Sequence, residues 1–370
     1  MRSHWLSRAA LALVLVLMLS ALTASCGGTA ETTANSPSPL VAGVSAQPLP
    51  GSHLWAAGTS VFASRDGGVT WQAMRTPPDL YWNIAASDAR HAWVARPTGE
   101  ILATRDGGAT YTVQRPPDRH HGQLVAVACS DARHLAVTGV APAGAFVLTT
   151  ADGGRHWRSS ALMKTPHDLN AIASPDAQHL WAVGSSDPAS GTPGAIIASR
   201  DGGATWSVQK SDPGVSYRSV AFSDAHNGWA VGHGGAQGSG SVIAHTTDGG
   251  ATWTVSRLAA VDALLSVTCS DAEHAWAVGD AYGGSSATIA STRDGGRTWN
   301  VRRLHLAAGD PKRFSLMAVT CADASHIWAA GTTQQAGIVI ASSDGGATWT
   351  LQSMRPEMAA LRAVTWTPGQ

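Results

Sequence analysis

The sequence predicts an all-β chain, folded as one seven-bladed β-propeller of four-stranded blades whose ring is closed by a C-terminal strand. Three observations carry this expectation. First, a segment of the form Ser/Thr-x-Asp-Gly-Gly-x-Thr-Trp occurs seven times, with aspartates at Asp66, Asp106, Asp152, Asp201, Asp248, Asp294 and Asp344, spaced 40, 46, 49, 47, 46 and 50 residues apart. A repeat of about 45 residues punctuated by Gly-Gly has the length of one propeller blade. Second, a His-x-Trp phase recurs with it, at His53, His91, His179, His274 and His326, with His134-Leu135-Ala136 and Asn227-Gly228-Trp229 as variants. Third, a strand such as Ser266-Val267-Thr268-Cys269-Ser270-Asp271 precedes each of these except the first, and its seventh copy lies at the very end, Arg362-Ala363-Val364-Thr365-Trp366.

Each blade then reads as an inner strand, the His-x-Trp strand, a third strand such as Ala195 to Ser199, and an Asp-Gly-Gly hairpin into the outer strand. The first blade lacks an inner strand at its own beginning. Pairing Leu361 to Thr367 beside Leu54 to Gly58 supplies it, which completes seven blades and leaves no open seam.

The first 50 residues are read separately. Arg2 and Arg8 flank a basic start, and Ala9 to Leu22 is an apolar run of 14 residues. A membrane span needs about 20, whereas a signal-peptide core is this short. Residues 1–25 are therefore expected to be a signal peptide. Thr23-Ala24-Ser25-Cys26 resembles a bacterial lipobox, with Thr23 where Leu, Val or Ile is usual, which implies lipidation of Cys26. The alternative is ordinary cleavage near Ala24 with Cys26 left as a thiol. Residues 26–50 are mostly Gly, Thr, Ala, Ser and Pro with a single charge at Glu31, and read as a flexible linker. The propeller occupies residues 51–370.

The repeated aspartate supplies a side-chain acceptor for backbone N–H groups, and the two glycines supply the positive φ of a tight hairpin. All seven aspartates are assigned a structural role, with ligand or cation binding by any of them as the alternative. Ser64-Arg65-Asp66-Gly67-Gly68-Val69-Thr70-Trp71 resembles the Asp-box, or bacterial neuraminidase repeat. Together with the His-x-Trp-Ala-Val-Gly strands, it makes residues 51–370 similar to propellers related to photosystem II assembly and stability factors. Tyr111 and His156 depart from the pattern. The resemblance implies a non-enzymatic module that assembles or stabilises a protein complex. Because Asp-boxes also occur on sialidases and other glycan hydrolases, a glycan-binding or glycan-hydrolysing propeller is the alternative.

Composition narrows the choice. Formal net charge is zero and charged residues make up 14%, so the basic excess that nucleic acid demands is missing. Of 15 tryptophans, six follow Asp-boxes and six sit in the His-x-Trp phase, which assigns them to blade packing. Only four glutamates follow residue 26, and a carboxylate pair for glycoside hydrolysis would have to come from Asp79, Asp118, Asp168, Asp212 or Asp310. No catalytic residue, metal site or cofactor is assigned. Cys129, Cys269 and Cys321 share one slot at the end of the inner strand, where other blades carry Ala86, Ser174, Phe222 and Trp366. Such a slot is a packing position, so free thiols are expected, with a Cys269–Cys321 bridge as the alternative. The His-x-Trp histidines, one per blade, are expected in hairpins, and Asp118 to His121 is the one clustered metal candidate.

Turns that only close hairpins can repeat themselves. The loops on the opposite face differ from blade to blade, from Pro97–Glu100 to the longer Ser185–Gly194, so recognition is expected there. That face is assigned Tyr81, Trp82, Tyr217, Arg218, Arg302, Arg303, Lys312, Arg313, Arg355 and Arg362, since arginine and aromatic residues anchor interfaces. The alternative is that they are solvated loop residues. The overall expectation is a monomeric lipoprotein, exported to the outer face of a bacterial cell membrane, that binds a protein partner there.

Overall fold

The computed structural model describes residues 31–34, 38–39, 49 and 51–369, apart from 118–121, 143, 161–162, 164–165, 188, 190, 235–239, 259–260, 262, 281–285 and 306–313. The signal peptide, Cys26, Asp118 to His121, Asp310, Lys312 and Arg313 lie outside the described residues.

Seven antiparallel four-stranded sheets follow one another along the chain. In blade 1 the inner strand Ala363–Pro368 precedes Ser52–Ala57, Val61–Ser64 and Gln72–Ala73, and in blade 2 the order runs Asn83–Ala86, Ala92–Ala95, Ile101–Thr104 and Thr112–Gln114. Blades 3 to 7 repeat the blade 2 order. Closure occurs as the displaced repeat predicts, with Leu54 opposite Trp366 and Ala56 opposite Val364. Blade 6 carries an addition at its outer edge: Glu31–Ala34 and Ser38–Pro39 run parallel to its outer strand Thr298–His305, with Glu31 opposite Thr298 and Ser38 opposite Leu304.

Second and third strands are buried on both faces, because each blade is covered by a neighbour on either side. The core is accordingly divided among the seven blade-to-blade contacts. Between blades 6 and 7 it holds Trp276, Val278, Ile289, Leu316, Ile338 and Ile340. Between blades 7 and 1 it holds Trp328, Val339, Met358, Leu361, Leu54 and Val364. Inner strands are also stitched side by side around the axis. Val127 N–H donates to Asn83 Oδ1 at 3.0 Å, Val267 to Ser219 Oγ and Val319 to Ser266 Oγ at 3.2 Å, and Trp366 N–H closes the circle on Thr320 Oγ1 at 3.2 Å.

The Asp-box turns are built as their residues dictate. In blade 4, Asp201 Oδ1 accepts from Thr205 N–H at 2.9 Å and Oδ2 from Thr205 Oγ1 at 2.6 Å, while Ser199 Oγ receives Gly203 N–H at 2.8 Å. Gly202 and Gly203 have φ of 68° and 87°, which side chains resist. The boxes also latch one blade to the next. Arg105 donates to Gly153 O at 3.1 Å, Arg200 to Gly249 O at 3.3 Å, and Arg293 to Asp344 O at 3.0 Å. At the closing contact Trp328 Nε1 reaches Gly67 O at 2.8 Å.

These bonds favour the carboxylate. The threonine hydroxyl, then its amide, hold Asp106, Asp201 and Asp248 down at about 2, against an ordinary value of 3.8. A folded-state value below the unfolded one stabilises the fold above the unfolded value, and that contribution disappears as pH falls through the folded one. The melting midpoint is therefore expected to decline gently below about pH 6.5, where the unfolded chain takes up a proton that buried His53 does not, and to fall steeply between about 4 and 2. Thermal melts across that range check it; a steep fall already between pH 6 and 5 would assign acid sensitivity to other groups.

Candidate functional site

The inner strands start on the face of the variable loops and end on the Asp-box face. Counting six residues back from the turn aspartates Asp88, Asp131, Asp176, Asp224, Asp271 and Asp323 gives Trp82, Val125, Asn170, Arg218, Leu265 and Met317. Arg362 holds the same slot in blade 1, four residues before Trp366. In four blades this residue is a β-bulge: the ladder skips Val125, Arg218, Leu265 and Met317, between Leu124/Ala126, Tyr217/Ser219, Leu264/Ser266 and Leu316/Ala318. A bulged residue is freed from pairing and can be re-aimed. Here the slot forms the mouth of the axial channel, a cavity of 360 Å³ lined by inner-strand residues of all seven blades, with Trp82, Arg218, Leu265, Met317 and Arg362 among them.

Around the mouth the order is Arg362, Trp82, Val125, Asn170, Arg218, Leu265, Met317, with no acidic member. Arg218 and Arg362 stand three blades apart on one side and four on the other, so they face each other across the opening. Both are exposed, and neither side chain forms a hydrogen bond or ion pair with a described residue. Trp82, Leu265 and Met317 are half-buried between them. Asn170 is instead committed to the wall, donating at 2.7 Å to Ser185 Oγ and to Tyr217 O.

Three of the residues assigned from sequence, Trp82, Arg218 and Arg362, thus come together. Others do not. Tyr81 and Tyr217 are fully buried; Tyr81 donates to Pro77 O, and Tyr217 to Asp212 Oδ2 at 2.5 Å. They fasten loops from inside and cannot meet a partner. Arg302 and Arg303 were expected in a variable loop, but the outer strand of blade 6 continues to His305 and holds both in its ladder, opposite Ile289 and Thr288. Arg302 lines a 410 Å³ cleft with Arg293 and Gly345 on the Asp-box side. Arg355 sits at the end of blade 7's outer strand, 3.4 Å from Glu357. Sequence reading missed Leu265, Met317, Asn170 and Val125. The signal was present, because these positions lie four residues before the slot that the cysteines share.

The remaining polar groups serve the fold. His91, His134, His179, His274 and His326 each place Nδ1 within 2.8 to 2.9 Å of the turn aspartate three residues earlier, and Asn227 does the same on Asp224. Cys129, Cys269 and Cys321 are free thiols, so the bridge alternative is not formed; burial pushes Cys129 up to about 12 and Cys321 to about 11. Of the carboxylates considered for hydrolysis, Asp79 binds Arg96 at 2.9 Å, Asp168 accepts Ser185 N–H at 2.8 Å, and Asp212 holds Tyr217. Among the described residues no group of three His, Cys, Asp or Glu is placed to hold a metal.

Comparison with known proteins places this geometry among propellers. Residues 253–360, from the outer strand of blade 5 to the end of blade 7, match the family model of the photosynthesis system II assembly factor YCF48. A structure of YCF48 bound to a D1 peptide is 20% identical with a TM-score of 0.53, over 73% of this chain and 80% of that one. YCF48 from Cyanidioschyzon merolae is 20% identical with a TM-score of 0.54, over 76% and 86%. The likeness establishes a shared fold. The GH74 xyloglucanase from Xanthomonas campestris shares it too, at 14% identity and a TM-score of 0.59, over 86% of this chain and 54% of that one. No curated protein matches.

Proposed function

We propose that the chain is an exported, lipid-anchored propeller that binds a segment of a partner protein at the mouth of its channel and does no chemistry of its own. One observation carries this reading: seven equivalent positions, four of them lifted out of the ladder by bulges, form a ring of two arginines with unpaired side chains, a tryptophan, a valine, an asparagine, a leucine and a methionine. Arginine and large apolar side chains around a concave opening are the composition of an interface anchor. With no acid in the ring, the field favours a segment bearing carboxylates. A YCF48 structure holding a D1 peptide supports peptide binding on this fold. The matched family model supports a role in assembling or stabilising a complex. The local bonds of Asp79, Asp168 and Asp212 favour this reading over a glycan hydrolase.

Anchoring rests on the basic start, the apolar run and Cys26. It would place the propeller at the outer face of the bacterial cell membrane, with its partner at that surface. A photocrosslinker at Met317 is expected to capture a protein partner in cells, and one at Thr247 on the Asp-box face is not. Equal capture from both positions would move the site away from the mouth. Feeding the same cells a fatty-acid analogue tests the anchor, since label persisting on Cys26→Ser would exclude that residue.

A further inference from the structure

Blade 1 differs from its six neighbours on the Asp-box face. In blades 2 to 7 the turn before the second strand offers a carbonyl to the first glycine of the Asp-box, as Arg90 O does to Gly107 N–H at 3.0 Å and Ser325 O to Gly345 N–H at 2.9 Å. Because blade 1 takes its inner strand from the far end of the chain, it has no such turn, and no counterpart bond forms at Gly67 among the described residues. Gly51 and Gly369 stand there instead, and a notch of 470 Å³ opens between blades 1 and 2.

Three polar side-chain groups line this notch without partners among the described residues. Arg65 is the Asp-box arginine of blade 1, yet it makes none of the latches that Arg105, Arg200 and Arg293 make to the next blade. The Arg90 side chain is exposed, and its guanidinium likewise forms no hydrogen bond or ion pair with a described residue. His53 is only 3% exposed, stacks on Trp55 with ring centroids 5.0 Å apart, and leaves Nε2 buried without a hydrogen-bond partner. A buried nitrogen left unpaired is costly, so a group that pairs with it gains free energy.

We propose that this notch binds an oxyanion, the carboxylate or phosphate of a small ligand, held by the guanidinium groups of Arg65 and Arg90 and by an N–H at His53 Nε2. Guanidinium forks suit both oxyanions, and the volume falls within the range of small-ligand pockets. Burial and the nearby Arg65 lower His53 to about 4, which keeps the imidazole neutral at physiological pH, able to donate from Nε2 when the proton sits there. Asp106 at the edge of the notch is already bonded to Thr104 and Thr110. Its charge confines the anion to the arginine side and offers an acceptor to a hydroxyl or ammonium elsewhere on the ligand. The site is independent of the channel mouth, which opens on the opposite face.

Titrating the whole chain with inorganic phosphate, and separately with acetate, while following the His53 ring by nitrogen-detected NMR tests the site. A saturable shift of His53 Nε2 with at least one anion is expected, and the anion that produces it separates the phosphate from the carboxylate source. Arg65→Gln with Arg90→Gln should weaken binding by about tenfold or more. The melt of this variant should be unchanged, because both side chains are exposed. The His91 ring serves as the internal control. His53 resonances unmoved by either anion, or a shift of equal affinity in the double variant, would overturn the assignment.

Discussion

Deleting the residues after Pro356 is expected to abolish the cooperative melt and drive the protein into aggregates. The deletion removes the inner strand Ala363–Pro368 and with it the whole ladder on Ser52–Ala57, whose pairs run from Ser52 with Pro368 to Ala57 with Ala363. It also removes Met358 and Leu361, both fully buried, and Val364 at 7% exposure, from the core between blades 7 and 1. Each such side chain contributes about 1.5 to 3 kcal/mol. Three of them together rival the roughly 5 to 15 kcal/mol by which a domain is stable at all, before the lost ladder is counted. The bare edge of Ser52–Ala57 would then be a template for pairing between molecules. Thermal melts with size-exclusion chromatography check this, and an unchanged transition in the truncated chain would refute closure by the C-terminal strand.

Replacing Arg218 and Arg362 together by Ala is expected to weaken partner binding by about 2 kcal/mol or more, roughly thirtyfold. Stability should move by no more than about 0.5 kcal/mol per site, since neither side chain is buried or paired. The two arginines are unlike the Asp-box residues in this respect. Asp201→Ala removes the acceptor of Thr205 N–H and Oγ1, so its melt should drop while the folded fraction binds normally. A binding titration paired with a melt for each variant separates the two kinds of failure. Normal binding by the double arginine variant, with lost binding by folded Asp201→Ala, would put recognition on the Asp-box face.

What the sequence made legible follows from which forces repeat. Asp-Gly-Gly turns and His-x-Trp strands are local chemistry, restated in each blade, so blade number, turn bonds and closure could be read from one-dimensional phase. Trp366, standing in the slot of Cys129 and Cys269, was enough to assign the last strand to the first blade. The channel mouth was only partly legible. A bulge is a property of pairing, and the same residue count precedes the turn aspartate whether or not the ladder skips a residue, so Met317 and Leu265 read as ordinary strand residues. Tyr81 and Tyr217 misled because an aromatic side chain near a loop looks alike from sequence whether its ring points inward or out. What decides it is the reach of the hydroxyl, to Pro77 O and to Asp212. Arg302 and Arg303 misled for another reason. Their outer strand runs eight residues, where that of blade 1 runs two, and nothing in the composition of the segment fixes that length.

The bulges at the channel mouth have a consequence for how such a ring can change over time. Copying a blade copies its ladder, its hairpin and its latch as one heritable cassette, and most positions inside that cassette are tied to a neighbour. The skipped residue is not. Since Arg218, Leu265 and Met317 lie outside the paired register, each can be exchanged without breaking a rung. If the mouth recognises the partner as proposed, partner choice can therefore drift one blade at a time while selection on folding stays blind to it.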